Sequence, residues 1–257
     1  MHKVIRSVLD TYTMVLRSMK HTGRHVEILI MTAFLPLMQL LLLIFVFGGT
    51  IQIPNFDYLD YVLPGILLMG IASSASMTAI SVKEDMEKGI IDRFRSMDIS
   101  KSAVLNGHMA ATLVRTGITM AVILSAASLL GFRFHMHSAD ALLAIALIFA
   151  FTLMYTWASI AWGLFCPSLE AVGAFSYFGM LLPYLSSCFV PSSNMPEFLW
   201  VFTEYQPFTP LAESLRGLFL GQSVGEGYLF QAFLWCFALM LVFYLLSMHL
   251  YHKRKSA

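Results

Sequence analysis

The stretch Lys83–Lys101 reads KEDMEKGIIDRFRSMDISK and stands between two long apolar runs. Ten of its nineteen residues are charged, in a chain with only 16 Lys and Arg and 15 Asp and Glu. Outside it the chain is strongly apolar. Hydrophobic residues make up 58% and charged residues 12% of the sequence, and mean hydropathy is +0.74. An ordinary soluble domain is about half apolar and about a quarter charged, so the deficit of charge excludes a domain bathed in water. The sequence reads as an all-α integral membrane protein. The formal net charge of +1 says nothing of partners, because the placement of charge matters here and its sum does not.

A helix needs about 20 apolar residues to cross a bilayer. Six segments qualify, approximately Ile28–Gly48, Leu59–Val82, Leu105–Leu130, Ala139–Phe165, Ala171–Val190 and Tyr228–His249. The whole chain is expected to be a single transmembrane domain. The first run follows a charged stretch and lacks a small-residue cleavage pattern, so it is expected to be a retained span rather than a signal peptide. Lys and Arg set the direction. They concentrate in the N-terminal arm (Lys3, Arg6, Arg17, Lys20, Arg24), in the charged loop, and in the tail (Lys253, Arg254, Lys255). The intervening loops hold Arg133 and Arg216 among Asp57, Asp60, Asp140, Glu197, Glu204, Glu213 and Glu226. Both termini and the loop are therefore expected on the cytoplasmic face of a multi-pass protein of the cell (inner) membrane. Arg115, within the third span, is expected to snorkel toward the near surface.

Residues 1–27 form an arm in which Val4, Val8, Tyr12, Val15 and Met19 recur at helical spacing, with the bases largely on another face. That pattern predicts an amphipathic helix lying in the inner interface. Residues 191–227 predict two short outer helices dipping into the membrane: NMPEFLWVFTEYQ opens with Asn194 three residues before Glu197. In TPLAESLRGLFLG, Thr209 stands at an N-cap, Pro210 at the first helical position and Gly221 after the end. Residues 251–257 form the basic cytoplasmic tail. Cys166, Cys188 and Cys236 are far apart and read as apolar filler, neither a disulfide framework nor a metal set.

Within the loop, Met86, Ile90, Phe94 and Met97 form an apolar stripe flanked by charge, interrupted by Gly89, which predicts a break or sharp bend. Such a ridge suits docking into a groove on another protein; a solvated connector whose charges fix topology is the plainer reading. The order ISVKEDMEKGIIDRFRSMDISKSAVLNGHMAATLVR resembles the first cytoplasmic loop of ABC type-2 export permeases, where an acidic residue, a basic residue and Gly (here Glu87, Lys88, Gly89) precede a short helix and the third span. YQPFTPLAESLRGLFLG is similar to the region before the last span in that family, especially its daunorubicin-resistance-type drug exporters. The layout of arm, six spans, re-entrant helices and basic tail matches along nearly the whole chain. Asp98-Ile99-Ser100 stands where family members often have a Pro-Ile-Ser-like stretch, which implies a softer end to the loop helix.

The resemblance implies that residues 83–101 form a coupling helix seated in a cleft of a separate ABC ATPase subunit. Met86, Glu87, Gly89, Ile90, Ile91 and Phe94 would make the contact, with Arg93 and Arg95 setting register. No G-x-x-x-x-G-K-[ST] phosphate loop occurs in the chain, so ATP and magnesium are expected on that partner and no cofactor or metal on this one. The resemblance also implies pairing with a second permease copy around a cavity lined by the first, second and fifth spans. Small and hydroxyl residues of the second span (Ser74, Thr78), which equally suit close helix packing, and Phe175, Tyr177, Phe178, Met180 and Tyr184 of the fifth are the candidates to line it. Pro183 and Pro36 are expected to kink their spans.

Catalytic constellations are absent. His135 and His137 share an outer loop, a weak metal pattern; His108 has no evident partner in the sequence; and no Asp or Glu falls at mid-span. A proton- or sodium-driven transporter usually places acids or broken helices there, so that alternative is disfavoured, while a channel or recruiting scaffold stays open. The expected function is that of an exporter permease moving an amphipathic small molecule (drug, antibiotic or lipid-like) outward, with a polysaccharide or lipid-linked glycan as the alternative cargo. Neither enzymatic activity of its own nor nucleic-acid binding is expected; membrane lipids are the surrounding partners.

Overall fold

The computed structural model of the chain describes residues 26–49, 53, 56–90, 101–192, 195–225 and 227–253. Every regular element among them is helical. In chain order these are α1 (Val26–Leu42, continued by a π-helical turn over Leu43–Phe47), α2 (Tyr58–Glu87), α3 (Lys101–Leu129) and α4 (Ser138–Phe165). Then come α5 (Leu169–Gly173), α6 (Phe175–Leu181) with a 3₁₀ turn (Leu182–Leu185), α7 (Glu197–Tyr205), α8 (Phe208–Leu220) and α9 (Tyr228–Lys253). The expected arm falls outside the described residues except for its last two, which open α1; so do loop residues 91–100 and the tail beyond 253.

Among the described residues five helices are long and apolar enough to cross a membrane: α1 with its π-helical turn, α2, α3, α4 and α9. Their bounds follow the apolar runs, with one informative difference. α2 does not stop near Val82 but continues through Lys83–Glu87, where Lys83–Glu87 and Glu84–Lys88 pairs, at 3.6 and 2.8 Å, bind each charge to its neighbour one turn away. The expected fifth span, in contrast, is not one helix. It breaks at Ala174 and tightens into the 3₁₀ turn at Pro183. The backbone at the end of that turn finds side-chain donors. Gln206 Nε2 donates to Leu185 O at 3.0 Å and Thr203 Oγ1 to the same oxygen at 3.0 Å, so the carbonyl at the end of the turn is paired in an apolar setting.

α2 is the centre of the bundle, with every residue from Tyr61 to Ala72 buried. α1, α3, α4, α6 and α8 all pack against it, which is why its sequence is apolar around the whole circumference rather than on one stripe. Small residues let the neighbours close in. At Gly163 of α4 a Cβ would lie 2.6 Å from the Ala79 carbonyl of α2, and at Gly179 of α6 one would meet the Ala72 Cβ at 2.6 Å. α9 lies against α4 and α8 and exposes Phe230, Leu234, Phe237, Leu241 and Leu245 on its other side.

The two short helices expected after residue 191 are present as α7 and α8. Asn194 is outside the described residues. α8 begins at Phe208, two residues earlier than Thr209 as N-cap and Pro210 as first helical residue predict. Thr209 is instead buried, accepting from the Ser187 N–H and donating to Thr203 O. Gly221 closes α8 in the left-handed conformation, as expected (φ 62°).

Candidate functional site at the loop end of the bundle

The loop end of α2 is described as far as Ile90. Lys88 N–H still bonds to Glu84 O, and Gly89 N–H to Met86 O. Gly89 then adopts φ +65°, the bend its sequence position predicts. A Cβ there would meet nothing within 4 Å; conformation alone calls for glycine. Of the eight residues expected to couple, Glu87 is exposed, Gly89 and Ile90 are half-buried, and Met86 packs inward against the buried cluster of Val82, Leu105, Met109 and Trp157. Ile91, Arg93, Phe94 and Arg95 lie outside the described residues.

Behind this tip, α2 and α3 run antiparallel and meet through a ladder of polar contacts. His108 has a partner after all: its Nε2 lies 3.2 Å from Asp85 Oδ2, both side chains largely covered. Further in, Thr78 and Thr112 share a hydrogen bond, and Ser74 and Thr119 share one at 3.1 Å, with Thr32 of α1 at 3.5 Å from Thr119. Arg115 lies between these rungs and does not snorkel. It is 4% exposed; Nε and Nη2 donate to Ser74 O at 3.0 and 2.7 Å, and Nη2 to Thr78 Oγ1 at 2.7 Å. Fourteen residues of helix separate it from the start of α3, about 20 Å at 1.5 Å per residue, well beyond the reach of its side chain. It therefore turns to the acceptors at its own depth.

The candidate cavity residues divide. Ser74 and Thr78 are buried and occupied by Arg115 and the α3 threonines. Phe175 is buried, its ring 5.2 Å from Tyr155 and 5.9 Å from Trp162. Tyr177, Phe178, Met180 and Tyr184 are exposed along α6 and its 3₁₀ turn, Phe178 with one edge on Trp162 at 5.7 Å. In the far loop, His137 pairs with Asp140 at 3.5 Å at the start of α4; among the described residues no three His, Cys, Asp or Glu side chains converge.

Two ties escaped the sequence reading. Lys83, counted as a loop charge, is 5% exposed, and its Nζ donates to Pro167 O in the turn between α4 and α5 at 2.8 Å. At the opposite end of the bundle Arg216 of α8 is buried. It donates to Tyr61 O at 3.1 and 3.2 Å and to Ser187 O at 3.1 Å, pairs with Glu213 at 2.7 Å and lies 3.7 Å above the Tyr61 ring.

Comparison with known proteins identifies the family. Residues 10–220 match the ABC-2 type transporter family. The chain belongs to that family. It is 26% identical over 231 residues to the daunorubicin resistance ABC transporter permease protein of Streptomyces coeruleorubidus, covering 89% of this chain and 81% of that one. The probable doxorubicin resistance ABC transporter permease protein of Mycobacterium tuberculosis is 24% identical over 201 residues, 74% of this chain and 69% of its own. ABC transporter G family member 20 of Dictyostelium discoideum is 24% identical over 181 residues, 68% of this chain but 24% of its own length. This ABC-2 permease is thus a multi-pass membrane subunit homologous to drug-resistance exporter permeases, in a family that works with an ABC ATPase.

Proposed function

We propose that this chain is the permease of an ATP-driven exporter that moves an amphipathic small molecule outward across the cytoplasmic membrane. In this reading two copies pair, each with six membrane-crossing segments in a lipid bilayer, the fifth in order being the interrupted α5–α6 stretch. Both termini and the Gly89 loop face the cytoplasm. Each copy seats its loop on an ATPase subunit, which holds ATP and magnesium. The observation that supports it most directly is α2 itself: thirty helical residues run from the far end of the bundle to the loop, and Gly89 ends the helix where the coupling contact is expected. Movement imposed at Glu87–Ile90 reaches the middle of the bundle along one rigid element.

The cargo class rests on relatives named for resistance to daunorubicin and doxorubicin, and on the exposed aromatic and Met face of α6, which suits a flat apolar molecule. The acids of the described spans lie at helix ends (Asp57, Asp60, Glu84, Asp85, Glu87, Asp140) rather than at mid-depth, which gives an ion gradient little to act on.

The test is purification from the native membrane followed by reconstitution. A stoichiometric partner with a phosphate-binding loop, and ATP-dependent movement of an anthracycline into inverted vesicles, are expected. Movement driven by an ion gradient without that partner would overturn the reading. Movement of a lipid-linked glycan alone would leave the ATP-driven class and replace the cargo.

A further inference from the structure

We propose that Lys83 is a positioning residue that joins the tip of α2 to the base of the interrupted α5–α6 segment, so that a load on Glu87 displaces both together. This rests on the exporter reading above. A lysine at the polar end of a helix normally extends into water; this one is 5% exposed, although Lys88 one turn further on is exposed. Its ammonium spans two contacts. Glu87 Oε1 is 3.6 Å away on the face that carries the coupling position, and Pro167 O is 2.8 Å away across the gap to α5.

The receiving carbonyl is placed for that role. Pro167 precedes α5, whose first bonds go elsewhere: Val172 N–H to Ser168 O, and Ala171 N–H to Ser168 Oγ at 3.3 Å. Pro167 O therefore takes no part in the helix ladder, and Lys83 is the donor it meets. Around it the three elements are already in close contact. The Gly163 position of α4 abuts the Ala79 backbone, and Trp162 Nε1 donates to Ala171 O at 3.2 Å. Buried Ala79, Cys166 and Val172 fill the space between. α4 and α5 are thus a unit, and Lys83 is the polar contact through which α2 holds its turn. Ammonium geometry suits a carbonyl that shifts, because three rotatable donors on a flexible stem tolerate small displacements.

The experiment uses the permease with its ATPase subunit in vesicles and reads substrate moved per ATP hydrolysed for the wild type, Lys83→Met, Lys83→Gln and Lys83→Arg. The Met and Gln variants are expected to assemble and hydrolyse ATP but to move about tenfold less substrate per ATP, with Arg recovering most of the loss. A role in folding alone would lower the yield and leave that ratio unchanged. A second measurement does not depend on transport. Spin labels at Lys88 and Glu170, both exposed and the second on α5 itself, in a cysteine-free background should give a narrow distance distribution with Lys83 and a broad one with Met. An equally narrow distribution in the Met variant, an unchanged ratio, or failure of all three variants to assemble overturns the proposal. A wild type that moves nothing with ATP, with the distribution narrow as expected, sinks the exporter reading and leaves the tie standing.

Discussion

Arg216 offers the most quantitative test of how the far end of the bundle is held. Arg216→Ala removes a guanidinium that donates to two backbone carbonyls, Tyr61 O and Ser187 O, and lies over the Tyr61 ring. Bonds to a charged donor contribute about 1.5–3 kcal/mol each, and a desolvated cation over an aromatic face about 2 kcal/mol. These overlap, and half-buried Glu213 regains water once its partner is gone, so a net loss of roughly 3–5 kcal/mol is expected, as for other broken buried pairs. Cys188 supplies the reporter. It follows Ser187 directly, is fully buried, and its N–H bonds to Ser186 Oγ at 3.1 Å. With Cys166 and Cys236 replaced by Ala, maleimide labelling of Cys188 measures opening of the 186–189 turn. At tenfold per 1.4 kcal/mol, labelling should accelerate between about a hundredfold and a few thousandfold. Arg216→Lys, which keeps the charge and loses the fork, should fall between. Labelling of the Ala variant within about threefold of the parent would refute the assignment of this residue as the tie.

Two further substitutions separate conformation from packing. Gly89→Ala places a Cβ in open space but in the left-handed region, at a cost of about 1–2 kcal/mol. The thermal midpoint should fall by no more than a few degrees while substrate moved per ATP falls, and Gly89→Asn, which tolerates that conformation, should be milder. Gly163→Val forces a side chain onto the Ala79 carbonyl 2.6 Å away. With no flexible neighbour to yield, the cost should exceed the usual 1–3 kcal/mol of overpacking, read as a lowered midpoint and a reduced yield of folded permease.

The spans could be read from the sequence because apolar length is a one-dimensional property. Gly89 and Gly221 could be read because each stands at a helix end where left-handed backbone is needed. What escaped reading depends on contacts between distant segments. The end of the 3₁₀ turn after α6 is satisfied by Thr203 and Gln206, which lie some twenty residues downstream. His108 looked unpartnered because the α2–α3 register was not worked out. Once α2 and α3 are set antiparallel, Asp85–His108, Thr78–Thr112 and Ser74–Thr119 follow, eleven residues along α2 matched by eleven along α3. The same register brings Arg115 opposite Ser74 and Thr78, so the two hydroxyls proposed to line a cavity are consumed within the helix pair.

The ties also differ in a way that bears on which part moves. Arg115 of α3 donates to Ser74 O, Ser159 of α4 to Ala75 O, and Arg216 of α8 to Tyr61 O. All three end on the α2 backbone, whose carbonyls accept a second bond while keeping their place in the helix. No side chain of α2 is needed for them, which leaves its positions free to be the small residues that close packing requires. Sliding α2 along α3, α4 or α8 would break buried bonds spread over its length, so these four helices should move as one body. α6 is held differently. Among the described residues, its side chains make no hydrogen bond to α2 or α4, and the Tyr155 hydroxyl that its Gly179 covers is buried without a partner. α5 follows the block through Lys83, and Ala174 is the point at which α6 can depart from it. Spin labels on exposed positions of α3 and α4, such as Leu129 and Leu142, should therefore keep their separation when nucleotide binds the assembled transporter, while a label at Tyr177 shifts against both. A shift between α3 and α4 as large as that of Tyr177 would mean that these backbone ties do not hold the block together.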